Sequence, residues 1–237
     1  MSNGGFRRCS PRSRRAGHAD AHPVTLGARD IGKRFERRAV LRGASLELHP
    51  GELVLLTGPN GSGKTTFARI LATALAPDTG TVTLHGAPVR RRLREARRAI
   101  GFASHRPLLY LGMTPIENLE FFGRLAGLSD ARARADHMLR RFKLDDALGA
   151  PVERFSRGML QRVALGRALL HEPRFLILDE PYAGLDDEAA TILNDLLGEA
   201  REHGASVLLV SHERERLGNG ITRACAMRDG AIEPASP

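Results

Sequence analysis

The sequence predicts an α/β fold: a parallel core sheet that carries an antiparallel β sub-domain and a helical sub-domain. Three observations point to it. The runs ELVLLTG, RFLILDEP and ASVLLVSH are continuously apolar, as expected of strands buried on both faces. Helical patterns at residues 64–76 and at EAATILNDLLGEARE alternate with those strands, which is the order a parallel sheet requires. Residues 24–48 instead form short alternating stretches, and residues 110–150 are rich in helix signals.

In chain order, VTLGARDIGKRF and AVLRGASLEL read as antiparallel strands, followed by the buried strand ELVLLTG. The helix expected at residues 64–76 is closed by APDTG, a turn into the strand TVTLHG. RRRLREARRAIG reads as a basic amphipathic helix on the surface, leading into the strand AIGFAS. TPIENLEFFGRL opens with a capping box, in which Thr114 caps, Pro115 takes the first helical position and Glu117 reaches back. ARARADHMLRRFKL is a second helix of the same insert, which is expected to occupy about residues 107–157. The folded domain is expected to run over residues 24–237.

Composition narrows the function classes. The chain has 237 residues, 42% hydrophobic but only 5% aromatic and without tryptophan, so one sizeable aliphatic core is expected. A net charge of +9 suggests an anionic partner, yet only three of the 36 basic residues are lysines. That imbalance reads as a general arginine preference, and no nucleic-acid recognition module is visible, so no direct nucleic-acid partner is expected. Cys9 and Cys225 share no metal-binding or disulfide spacing, which fits a reducing compartment. Arg7, Arg8, Arg12, Arg14 and Arg15 are followed by no apolar segment, so residues 1–23 are expected to be a disordered basic tail. The longest apolar runs fall far short of the about 20 residues that span a bilayer.

Two constellations carry chemistry. Gly58, Pro59, Asn60, Gly61, Ser62, Gly63, Lys64, Thr65 and Thr66 match G-x-x-x-x-G-K-[ST] between a buried strand and a helix, the context that this motif needs. Its glycines let backbone N–H groups curl inward around phosphate oxygens, and the helix N-terminus adds a positive end. Lys64 would reach the outer phosphates, and the Thr65 hydroxyl would ligate Mg²⁺. The strand FLILDEP ends in two adjacent carboxylates. Asp179 can hold Mg²⁺ through water, and Glu180 can orient and deprotonate an attacking water. VLLVSH ends a further strand in Ser211 and His212, which makes His212 a candidate γ-phosphate contact.

The order LTGPNGSGKTT, FSRGMLQR, LILDEP, GLD and LVSH resembles the ATP-binding subunits of ABC transporters, over about residues 24–232. The resemblance implies a P-loop NTPase of ABC type that hydrolyses ATP with Mg²⁺. It implies that Ser156 and Gly158 bind ATP held by a second copy, in a head-to-tail homodimer. Phe35 looks like the aromatic that stacks on adenine, Asp186 like the aspartate linking the two sites, and His212 like the switch histidine. Counting back from TPIENL puts Arg106, preceded by His105, where the family usually has a glutamine; a guanidinium offers a metal no acceptor atom. Arg157 and Met159 also depart from the usual L-S-G-G-Q signature.

IGFASHRPLLYLGMTPIENLEFFGRLAG, FSRGM and DEPYAGLD together look like the CcmA-type subunits of the haem exporter of cytochrome c biogenesis. That resemblance implies integral membrane partners of the haem-exporter permease type. It also implies a peripheral location on the cytoplasmic face of the bacterial inner membrane. Drug and polysaccharide exporter subunits share much of this pattern. A soluble ABC protein acting on DNA or ribosomes fits the basic charge, but only 92 positions separate Lys64 from Ser156, too few for the coiled coil of chromosome-type members. A scaffold with a degenerate ATPase would fit Arg106 and Arg157, against the presence of Lys64, Asp179, Glu180 and His212.

Overall fold

The computed structural model describes residues 25–145 and 148–235; the tail expected at residues 1–23 lies outside them. Two sheets share one core. The first is antiparallel, ordered β2-β1-β4-β5, from β1 (Leu26–Phe35), β2 (Arg38–Leu48), β4 (Thr79–Leu84) and β5 (Ala87–Pro88). The second is ordered β10-β9-β3-β8-β7-β6, from β3 (Leu53–Thr57), β6 (Ile100–Ala103), β7 (Phe175–Asp179), β8 (Ser206–Val210), β9 (Arg223–Arg228) and β10 (Ala231–Ala235). All pairings in it are parallel except β10 on β9.

The apolar strands divide their side chains between two cores, as a sheet covered on both faces must. Leu53 and Leu55 of β3 join Leu176, Leu178, Val207 and Leu209 beneath helices α5 (Arg157–Leu169) and α6 (Asp187–Glu202). Val54, Leu56, Ile177, Leu208 and Val210 face the opposite way. There they meet Phe67, Ile70 and Leu71 of α1 (Lys64–Leu71) and the antiparallel sheet's Leu26, Ile31, Leu41 and Leu48. Helix α1 is thus wedged between the two sheets, which fixes the position of its first turn.

α1 ends at Leu71, short of the predicted Ala76, because Thr73 adopts a left-handed φ of 58° that a helix cannot continue through. The basic segment forms the short helix α2 (Leu93–Ala99). Helices α3 (Pro115–Ala126) and α4 (Ala131–Arg141) pack on α5, and both halves of the Thr114–Glu117 capping box form. The β9–β10 hairpin was not anticipated. Its turn is Asp229-Gly230, both with positive φ, and Arg42 N–H of β2 donates to Gly230 O at 2.9 Å, tying the two sheets together.

Asn118 anchors the loop before α3. It is fully buried, its amide donates to the carbonyls of Tyr110, Met113 and Thr114, and its Oδ1 accepts from Tyr110 N–H at 2.8 Å. Asn118→Leu strands those backbone groups and is expected to cost about 1–3 kcal/mol. Urea unfolding checks this, with the midpoint expected to fall at unchanged slope.

Candidate functional site

The loop after β3 holds its shape through glycines. Gly58 has φ 139°, and a Cβ there would stand 2.4 Å from Met227 O of β9. Gly63, the residue before α1, has φ 112°, and a Cβ there would meet Leu41 at 2.8 Å and Val40 O at 3.0 Å. Lacking a side chain, Gly63 leaves the first-turn N–H groups of α1 uncapped. Lys64 is 7% exposed and folds back, its ammonium donating to Gly58 O at 2.7 Å and Pro59 O at 3.1 Å. Burial lowers its pKa, an effect opposed by the charges of Glu180 and Asp179. Ser62 Oγ is buried without a hydrogen-bond partner, whereas Asn60 is exposed.

Both carboxylates lie at the carboxyl end of the sheet. Thr65 Oγ1 donates to Asp179 Oδ1 at 3.2 Å. Asp179 is 1% exposed, and its Oδ2 is buried without a hydrogen-bond partner. Burial raises the Asp179 pKa, partly offset by the Thr65 hydrogen bond, His105 and Lys64. Glu180 takes a left-handed φ of 53°, a strained conformation for a non-glycine residue, while its N–H donates to Val210 O at 2.8 Å. Its carboxylate lies 3.7 Å from His212 Nε2, and burial raises its pKa as well. A raised carboxyl pKa brings a base closer to neutral pH, where proton transfer is most effective. The neighbouring Ser211 is fully buried and its Oγ accepts from Glu213 N–H.

The structure thus brings Lys64, Thr65, Asp179, Glu180 and His212 together. Among the described residues, no hydrogen bond or ion pair joins Ser156, Gly158 or Asp186 to loop 58–66. Ser156 caps α5, with Oγ accepting from Met159 N–H at 3.2 Å. Gly158 lies so close to the loop after β7 that a Cβ would come 2.5 Å from Gly184 O. Asp186 caps α6 through Ala189 N–H and pairs with Arg162 of α5. Phe35, at the end of β1, is 46% exposed with Lys33 over its ring.

A hard cation fits the oxygen donors. Thr65 and the open Oδ2 of Asp179 offer one hydroxyl and one carboxylate, the sparse set typical of Mg²⁺ completed by water and substrate phosphates. Arg106, the residue assigned by counting, makes no ion pair with Asp179 among the described residues. His105 is the residue beside the carboxylate, its Nδ1 3.8 Å from Asp179 Oδ2. The chain turns there, with Ser104 Oγ donating to Arg106 O at 3.1 Å.

Because its pKa is raised on folding, Asp179 binds its proton more tightly in the folded state. Its charged form therefore costs stability, and stability falls as pH rises from the unfolded pKa through the folded one. Asp179→Asn is expected to raise the melting temperature at pH 8 by about 2–4 °C, as ~1 kcal/mol would for a chain of this size. The gain should vanish below the ordinary carboxylate range, and scanning calorimetry across pH checks it.

Comparison with known proteins places this geometry. Residues 41–183 match the family described as ABC transporter. The Nod factor export ATP-binding protein I of Paraburkholderia xenovorans (strain LB400) is 38% identical over 84% of this chain, which spans 66% of that protein's length. The ABC transporter ATP-binding protein NatA of Bacillus subtilis (strain 168) is 35% identical over 79% of both chains. A solved ATP-binding subunit of an ABC transporter superposes with TM-score 0.81 at 28% identity, over 89% of this chain and 90% of that one. The dimeric bacterial ABC transporter cassette MJ0796 superposes with TM-score 0.81 at 25% identity, over 90% of this chain and 99% of that one. This chain belongs to the ABC transporter family as an ATP-binding subunit with the P-loop cassette fold.

Proposed function

We propose that this chain is the ATP-hydrolysing subunit of an exporter, of the haem-exporting type that serves cytochrome c maturation. It works as a head-to-tail homodimer docked on integral membrane subunits at the cytoplasmic face of the bacterial inner membrane. The observation that carries the ATPase reading is the convergence of Lys64, Thr65, Asp179, Glu180 and His212 at one end of the parallel sheet. Among the described residues no helix is long and apolar enough to cross a membrane, so cargo passage is assigned to the partner subunits.

In this reading phosphate oxygens replace the Gly58 and Pro59 carbonyls around the Lys64 ammonium, and uncapped N–H groups of α1 hold the remainder. Thr65 and Asp179 would hold Mg²⁺, which would supply charge neutralisation at the phosphates. Glu180 takes a proton from water as the water oxygen bonds to the γ-phosphorus. The bond from that phosphorus to the ADP oxygen breaks, and His212 steadies the γ-phosphate oxygens. Ser156 and the N–H of Gly158 would act on ATP held by the other copy, since among the described residues no hydrogen bond joins them to the cradle in their own chain. The dimeric MJ0796 cassette supports that arrangement.

The haem assignment is supported by residues 100–127 and by the FSRGM signature. The names of the Nod factor export relatives support export as the direction of transport. They also favour a second reading, a subunit of a drug or polysaccharide exporter.

Deleting the gene should eliminate holo-cytochrome c, and a copy carrying Lys64→Ala should not restore it. Haem-stained gels of membrane fractions read the outcome. Normal cytochrome c with altered drug sensitivity or envelope polysaccharide would favour the second reading.

A further inference from the structure

We propose that His105 is the positioning residue for the metal-binding carboxylate, a role that rests on the ATPase reading. Asp179 presents two oxygens in different situations. Oδ1 accepts from Thr65, while Oδ2 is buried with no hydrogen-bond partner. A buried carboxylate oxygen with one side open is costly unless a donor or cation completes it. The polar side chain aimed at it from the loop after β6 is His105, with Nδ1 3.8 Å from Oδ2. That is about 1 Å beyond hydrogen-bond length, within reach of a small closure of this loop.

His105 is free to make that move. Its side chain is half exposed, and no hydrogen bond to another group restrains the ring among the described residues. Arg106 cannot substitute, because a guanidinium brought to this point would compete with the cation for the carboxylate. An imidazole N–H donating to Oδ2 fixes the plane of the carboxylate and leaves its remaining lone pairs for metal-bound water. Partners of this kind set metal affinity by about 10–100-fold when removed. They do so without touching the nucleotide.

The test separates metal from nucleotide. Fluorescent ATP analogue binding is titrated with and without Mg²⁺ on the full chain. His105→Ala is expected to weaken the Mg²⁺-dependent component by about 10–100-fold. Metal-free nucleotide affinity and melting temperature should stay unchanged. His105→Gln, which keeps a donor, should restore most of the loss, and Arg106→Ala should leave metal affinity intact. Unchanged metal affinity in His105→Ala overturns the assignment, as does an equal loss in Arg106→Ala. A parallel fall of metal-free and metal-bound affinity would also overturn it, by showing damage to the phosphate loop. If the unaltered chain shows no Mg²⁺-dependent binding, the ATPase reading fails along with it.

Discussion

The site depends on one partly buried contact, the hydrogen bond from Thr65 Oγ1 to Asp179 Oδ1. Thr65 is the second residue of α1, Asp179 ends β7, and β8 lies between β3 and β7 in the sheet. The loop after β3 must therefore carry the first turn of α1 past β8 for the two side chains to meet. Packing of Phe67, Ile70 and Leu71 between the two sheets sets that crossing. Because both faces of the parallel sheet are covered, a shift of α1 would disturb the core that it shares with the antiparallel sheet. Rigidity there keeps an uncomfortable group in place: a carboxylate 1% exposed, with one oxygen unpartnered. Glu180 adds backbone strain next to it. Under the proposed function, both costs are recovered when a metal–nucleotide complex fills the cradle.

Much of this was legible in the residues. Lys64 and Thr65 stand out because glycine spacing, a preceding apolar strand and a following helix all agree on one use for them. Asp179 and Glu180 stand out because carboxylates rarely end a buried strand without a partner. The end of α1 was not legible, since ATALA continues a helical composition while Thr73 turns left-handed. The β9–β10 hairpin carried a readable signal in Asp229-Gly230, yet its role, placing Met227 against Gly58, depends on tertiary packing. His105 was hidden for a different reason. Counting positions fixes which residue aligns with a family pattern, whereas the turn at Ser104–Arg106 decides which side chain faces the carboxylate.

The signature region shows the same division. Ser156 as a helix cap follows from local chemistry, and its cap bond is present. Nothing local assigns its open side to another molecule's nucleotide. That proposal comes from the lack of any hydrogen bond to the cradle in its own chain among the described residues, together with the dimeric form of the similar MJ0796 cassette. Under the proposed function the site has two halves, one around Lys64 and one around Ser156, supplied by different copies of the chain. Arg162 holds Asp186 against α5, so the signature helix and the loop after Glu180 are expected to move as one piece.

Complementation between two inactive chains tests the split site most directly. Lys64→Ala and Ser156→Arg are each purified with the membrane subunits and assayed for ATP hydrolysis, separately and after co-assembly. A mixed dimer joins the intact cradle of one chain to the intact signature of the other. Random pairing of two-fold dimers then predicts recovery of about a quarter of the unaltered rate if the two sites act independently. A co-assembled sample no more active than either chain alone would contradict a site shared between copies.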